Sequence, residues 1–259
     1  GGMDVHFGEF HKRYSTLFQT HTGGAGDKSL QYFKGLIQAK KKNMERMAEA
    51  VPFSDDQALQ HFLTNSPWDE QRIVDQIAAD ANHHIGGKRD SCLIIDETGF
   101  PKKGDKSVGV KRQWCGQLGK VDNCQVGVFS GLGYREHVTP VGFKLYLPED
   151  WTDDRERCEA AGIPDESIVF YSKHDLAFQL VLDARRQGVQ FGWVGADGFY
   201  GESPAFLRSL DQINETFMID VHKDQNIYLE NPEPVVPERT SNRGPKPKNL
   251  KAQTEPIRV

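Results

Sequence analysis

The chain opens on helical periodicity. Phe7, Phe10, Tyr14, Leu17 and Phe18 recur at spacings of three and four, which puts them on one face of a helix. Leu30, Phe33, Leu36, Ile37, Met44, Met47, Ala48 and Val51 continue the pattern around a basic insert, Lys40-Lys41-Lys42. Ser54 with Gln57 three residues on predicts a capped third helix that buries Leu59, Phe62 and Leu63. Ser66-Pro67-Trp68-Asp69 predicts a fourth start: a capping hydroxyl, a proline where no donor is needed, then an acid near the positive helix end. Its apolar face is Ile73, Val74, Ile77 and Ala81, and it ends before Gly86-Gly87. Taken alone, this segment is a plain helical bundle.

From residue 91 the period changes. Cys92-Leu93-Ile94-Ile95 is a continuous apolar run ending in Asp96, the pattern of a buried strand. Gln125 to Ser130 and Val138 to Leu147 are further β-like runs, rich in Val, Phe and Tyr. Thr152 and Asp153-Asp154 open a helix that Gly162 and Pro164 close, and Ser172 to Asp175 is a capping box ahead of Leu176, Leu180, Val181 and Ala184. Phe191 to Ala196 runs into Asp197 as a fourth strand, Ser203-Pro204 starts a short helix, and Phe217 to Val221 is a fifth strand. The order β-β-β-α-β-α-β predicts three antiparallel strands and then parallel additions, as in a ribonuclease H-like core.

After residue 229 prolines crowd the chain: Pro232, Pro234, Pro237, Pro245, Pro247 and Pro256, among Arg239, Arg243, Lys246, Lys248 and Lys251. This predicts an extended arm. Arg243-Gly244-Pro245-Lys246 has the chemistry to enter a minor groove, with a solvated linker as the plainer reading. The expected organisation is a helical domain over 3–87, a ribonuclease H-like core over 88–223 and a Pro-rich basic arm over 224–259. The fold class is therefore α+β or α/β, with N-terminal helices followed by a partial ribonuclease H-like mixed sheet.

Composition narrows the function. At 259 residues and 29.2 kDa the chain can build a core without staples. No apolar run nears the ~20 residues of a membrane span, and the N-terminus lacks a basic-then-apolar signal. Cys92, Cys115, Cys124 and Cys158 make no CxxC pair, which points to a reducing cytosol. A net charge of −5 excludes a uniformly basic nucleic-acid coat but leaves room for a local basic groove.

Two acids stand out by position. Asp96 and Asp197 each follow an apolar strand, and acids at strand ends of a mixed sheet can converge on one point. Two close carboxylates repel unless a divalent cation lies between them, and hard oxygen ligands suit Mg²⁺ or Mn²⁺. Such a site can drive an in-line phosphodiester displacement. Singly, each acid could be a capping or turn residue. Between them lie Lys102, Lys103, Lys106, Lys111, Arg112 and Lys120, punctuated by glycines: a basic hairpin placed to hold a phosphate backbone, or else a solvated one. Other motifs fail on detail. Gly99 to Gly104 has P-loop spacing, but Asp105 stands where the Lys must be. There is no HExxH, His83-His84 fits a helix surface, and no serine sits in a G-x-S-x-G elbow.

The run Ile94-Ile95-Asp96-Glu97-Thr98-Gly99-Phe100-Pro101-Lys102-Lys103-Gly104, with Ser107-Val108-Gly109-Val110 and Arg112-Gln113, closely resembles bacterial insertion-sequence transposases of the DDE superfamily. Leu118 to Gln125, Leu145-Tyr146-Leu147-Pro148 with Trp151, Ala161 to Pro164, and Trp193 to Asp197 with Tyr200-Gly201 extend the likeness. The resemblance implies that Asp96 and Asp197 are the first two metal-binding acids of the triad. It also implies that the N-terminal helices contact double-stranded DNA at the element ends, with a homodimer as a possible working unit. The location implied is the cytoplasm, at the nucleoid. The family's third acid is a Glu on a late helix, and no helix is expected after Val221 to carry one. Glu230, Glu233, Glu238 and Glu255 lie in irregular sequence, and strand alternation turns Glu97 away from Asp96. The site is therefore expected to be incomplete, with a two-metal centre only if a third carboxylate is supplied. Two readings follow: an enzyme fragment that cuts and joins DNA when completed, or a truncated derivative kept for DNA binding or regulation.

Overall fold

The computed structural model describes residues 2–20, 23–238 and 248–258. The chain forms two compact units, Gly1–His84 and Ile85–Val259.

In the first unit, α1 (Gly2–Ser15) and a 3-10 turn (Thr16–Phe18) lead to a short antiparallel ladder, β1 (Gln19–Thr20) with β2 (Gly23–Gly24). Then come α2 (Gly26–Gln38), α3 (Met44–Ala50), α4 (Asp56–Thr64) and α5 (Glu70–Ile85). The apolar periodicity builds two clusters. Tyr14, Phe18 and Phe62 gather Phe33, Trp68, Ile73 and Ile77, while Ala39, Met47 and Leu59 gather Leu36 and Met44. The expected second helix is two helices. The chain leaves α2 at Ala39, the three mutually repelling lysines face water, and the Asn43 side chain restarts the helix by accepting the Arg46 N–H at 3.0 Å. Caps also shift: Asp55 accepts the Ala58 N–H at 2.7 Å, and Asp69 accepts the Gln71 N–H at 2.9 Å, where Ser54 and Ser66 were expected. A carboxylate is favoured over a hydroxyl beside the positive end of a helix.

The second unit is built on a six-stranded sheet. Its strands are β3 (Cys92–Pro101), β4 (Lys111–Cys115), β5 (Lys120–Tyr134), β6 (His137–Leu145), β7 (Trp193–Ala196) and β8 (Phe217–Ile219). Around it lie α6 (Glu149–Thr152), α7 (Arg155–Ala160), α8 (Lys173–Arg186), α9 (Gly198–Gly201) and α10 (Pro204–Gln212). The order is β4-β5-β3-β7-β8, with β6 also on β5. β3 to β6 pair antiparallel, and β7 and β8 add in parallel. This is an α+β chain with a ribonuclease H-like sheet.

Several boundaries differ from expectation for identifiable reasons. β4 was not anticipated, because Lys111-Arg112-Gln113 carries no apolar alternation and neither face of the strand is fully buried there. β3 does not end at Asp96; β5 keeps pairing with it, from Asp96↔Phe129 to Pro101↔Cys124. The helix expected at Thr152 is two, with Asp154 capping α7 through the Arg157 N–H at 3.0 Å. The capping box of α8 is complete, and Leu176, Ala177, Leu180, Val181 and Ala184 are buried. α8 packs against β3, β5 and β6; strand alternation buries Leu93 and Ile95 and exposes Ile94 and Asp96.

The proline-rich arm turns back on itself: β9 (Asn226–Ile227) pairs with β10 (Ile257–Arg258), and Val235 bridges Lys251. Arg239 and the basic turn Arg243-Gly244-Pro245-Lys246 lie outside the described residues. All four cysteines are free and buried. Among the described residues no helix is long and apolar enough to cross a membrane.

Candidate active site

β3 and β7 run parallel from Cys92↔Trp193 to Ile95↔Ala196, and the next residue on each strand is an aspartate. The ladder thereby sets Asp96 and Asp197 side by side just past its last rung. There the strands diverge. β3 continues along β5, while Asp197 caps α9, its Oδ1 accepting the Phe199 N–H at 3.1 Å. Asp96 Oδ1 accepts the Glu97 N–H at 2.8 Å. Both acids line one cleft of about 380 Å³, with Glu97, Thr98, Trp114 and Gln117 also on its walls.

The cleft is electrostatically unbalanced. Although Asp96 is solvent-exposed as a residue, partial desolvation of its carboxyl against the cleft pushes it above its ordinary value; the Glu97 N–H works against this, and the charges of Asp197 and Glu97 add to the rise. Among the described residues neither aspartate has an ion-pair partner, whereas Glu97, the third acid bordering the cleft, is paired with Lys173. The aspartate donor set, hard oxygens with one oxygen of each carboxylate uncommitted, fits a divalent cation of the Mg²⁺ or Mn²⁺ kind. Among the described residues no cluster of three or more His, Cys, Asp or Glu is arranged to hold a metal by itself.

Glu97 borders the cleft too, but its carboxylate oxygens are committed to other partners. Its Oε1 accepts from Lys173 Nζ at 3.0 Å and its Oε2 from the Tyr200 hydroxyl at 2.8 Å. Strand alternation foretold its direction but not its partners. The available signal was an acid on the buried side of a strand, which must find donors. Trp114, half-exposed on the cleft wall, was also not singled out from the sequence.

The six basic residues divide by environment. Lys103, Lys106 and Arg112 are exposed, and Lys102 is half-buried at the start of the 102–110 loop. Lys111 is paired with Asp150 at 2.7 Å and Lys120 with Asp122 at 2.8 Å, so the local positive excess is partly neutralised. The loop is braced along its length. Asn123 Nδ2 donates to the carbonyls of Lys102 (2.9 Å) and Gly104 (2.8 Å), Gln125 Nε2 to Val108 (2.6 Å), and Trp151 Nε1 to Val110 (2.9 Å). Gly109 closes it at φ 74°, where an added Cβ would lie 2.6 Å from the Tyr146 carbonyl oxygen, so only glycine fits.

Comparison with known proteins shows the family. A family model described as DDE superfamily endonuclease matches residues 25–259. The probable transposase for insertion sequence element IS701 of Microchaete diplosiphon is 34% identical over 197 residues, covering 74% of this chain and 47% of that protein. The chain spans about half the length of the curated relative it matches.

Proposed function

This chain belongs to the DDE superfamily endonucleases, and from that premise we propose that it is a transposase core that cuts and joins DNA at insertion-sequence ends. The observation that carries the reading is the pair Asp96 and Asp197, one step past the last parallel rung of β3 and β7, neither with an ion-pair partner among the described residues. In this reading the two carboxylates are the catalytic acids and hold Mg²⁺ or Mn²⁺. Such a cation supplies charge stabilisation to an in-line phosphodiester displacement when bound. The residues of the chain do the positioning. Lys102, Lys103, Lys106 and Arg112 take the phosphate backbone beside the cleft, and Lys111 and Lys120 contribute less because each already faces an acid. Double-stranded DNA is the substrate, contacted also by the N-terminal helices. An element has two ends to be cut, which favours two copies of the chain working together at the nucleoid.

The test is Mn²⁺-dependent nicking of supercoiled plasmid by the chain beside Asp96→Asn and Asp197→Asn. Whatever nicking the chain shows is expected to be abolished by both substitutions. Nicking that survives either substitution at the original rate contradicts the assignment.

A further inference from the structure

Past Ala196 no ladder bond holds Asp197 against Asp96. Asp96 remains braced by β5, opposite Phe129. Asp197 instead leads into α9, a four-residue helix too short to hold its own position, so interactions from outside must fix it. His174 of α8 is one, its Nε2 3.1 Å from the Phe199 carbonyl oxygen and its ring stacked on Phe199 at 4.7 Å; Tyr200 is the other that reaches the site. Its side chain is fully buried, with ring centroids 5.1 Å from Phe199 and 5.8 Å from Phe206, and its hydroxyl reaches Glu97 Oε2 at 2.8 Å. The other Glu97 oxygen is held by Lys173, the first residue of α8, in a pair whose side chains are only 19% and 16% exposed. On the far side α9 is stopped by backbone: a Cβ at Gly201 would run into the Asp220 carbonyl oxygen. Burial and the nearby carboxylates push the Tyr200 hydroxyl far above its usual range, which keeps it a donor.

We propose that Glu97 is a positioning residue: by holding Tyr200 it fixes α9, and with it the spacing of the Asp96 and Asp197 carboxylates where the β-ladder has ended. The inference rests on the reading that those two acids share a divalent cation. Glu97 borders the same cleft but is not a ligand in this account, because Lys173 and Tyr200 already engage both of its oxygens. Groups that orient ligating carboxylates set metal affinity, and removing one weakens binding by about 10- to 100-fold.

The full chain is titrated with Mn²⁺, following free ion by electron paramagnetic resonance, and amide exchange in α9 is measured without metal. Tyr200→Phe keeps the ring and removes only the hydroxyl. It is expected to weaken Mn²⁺ binding about tenfold. It should also speed exchange at the amides of Phe199 and Gly201, which donate to Asp197. Glu97→Gln still accepts from Tyr200 through its amide oxygen, so its effect should be clearly smaller than that of Glu97→Ala. Glu97→Gln losing binding as fully as Asp96→Asn would make Glu97 a ligand and overturn the proposal. So would a Tyr200→Phe chain that melts earlier yet binds Mn²⁺ like the wild type, since the bond would then be structural only. Undiminished binding by Asp96→Asn and Asp197→Asn would bring down the shared-cation reading and this inference with it. That outcome is recognisable because Glu97 and Tyr200 are intact in those variants.

Discussion

Asp96 is an acid whose folded pKa is raised, with partial desolvation against the cleft as the main cause and Asp197 adding to it. The folded chain therefore binds that proton more tightly than the unfolded chain, and its contribution to stability falls as pH rises through the carboxylate range. In chelator at about pH 7, Asp96→Asn should melt at a higher temperature than the wild type. The gap should narrow as pH falls toward the range where Asp96 itself is protonated, and Mn²⁺ should raise the melting temperature of the wild type alone. Melts at both pH values check the sign; a less stable Asp96→Asn at neutral pH would contradict it. A second single-residue effect sits under the basic loop. Trp151, only 1% exposed, gives its indole N–H to the Val110 carbonyl and has Arg157 over its ring at 3.8 Å. Trp151→Phe keeps an aromatic ring but orphans that carbonyl, a destabilisation of about 1–3 kcal/mol measurable by denaturant unfolding.

At the scale of elements, α8 matters because its first residue, Lys173, holds Glu97. Ser172 and Asp175 close its N-terminus reciprocally, so Ser172→Ala should cost about 1 kcal/mol in denaturant unfolding. The 102–110 loop should carry the salt dependence of DNA binding. Replacing Lys103 and Lys106 by alanine is expected to lower the slope of log affinity against log salt by about 2, near 0.9 for each phosphate that is no longer neutralised. Lys111→Ala should change the slope less, since Lys111 already faces Asp150. A slope unmoved by the double variant would take the loop off the DNA path. Which elements could be read in advance follows from the local signal that each carries. The caps at Ser172 and Ser203 depend on neighbours within three residues and were legible. β4 was not: its partner β5 is close in sequence, Lys111↔Cys124 to Cys115↔Lys120, but the charged run Lys111-Arg112-Gln113 carries no apolar alternation to mark it as a strand. The break between α2 and α3 was hidden because the apolar period resumes in phase across the lysines.

For the whole molecule, the acid pair was legible because topology does the convergence. β3 and β7 are parallel neighbours in the sheet, so the residues that follow Ile95 and Ala196, Asp96 and Asp197, emerge side by side at one edge. What surrounds them was not legible. Glu97 meets Lys173 and Tyr200 across 76 and 103 residues, and nothing in a local pattern selects those partners. The family match gives the superfamily and the sheet order gives the scaffold, a parallel strand pair from which Asp96 and Asp197 emerge beside one cleft. Crystals of the chain soaked in MnCl₂, with diffraction collected at the manganese edge, test this most directly. The account predicts an anomalous peak at bonding distance from one oxygen of Asp96 and one of Asp197, absent in Asp197→Asn. Density for manganese elsewhere on the chain, with none between these carboxylates, would contradict it.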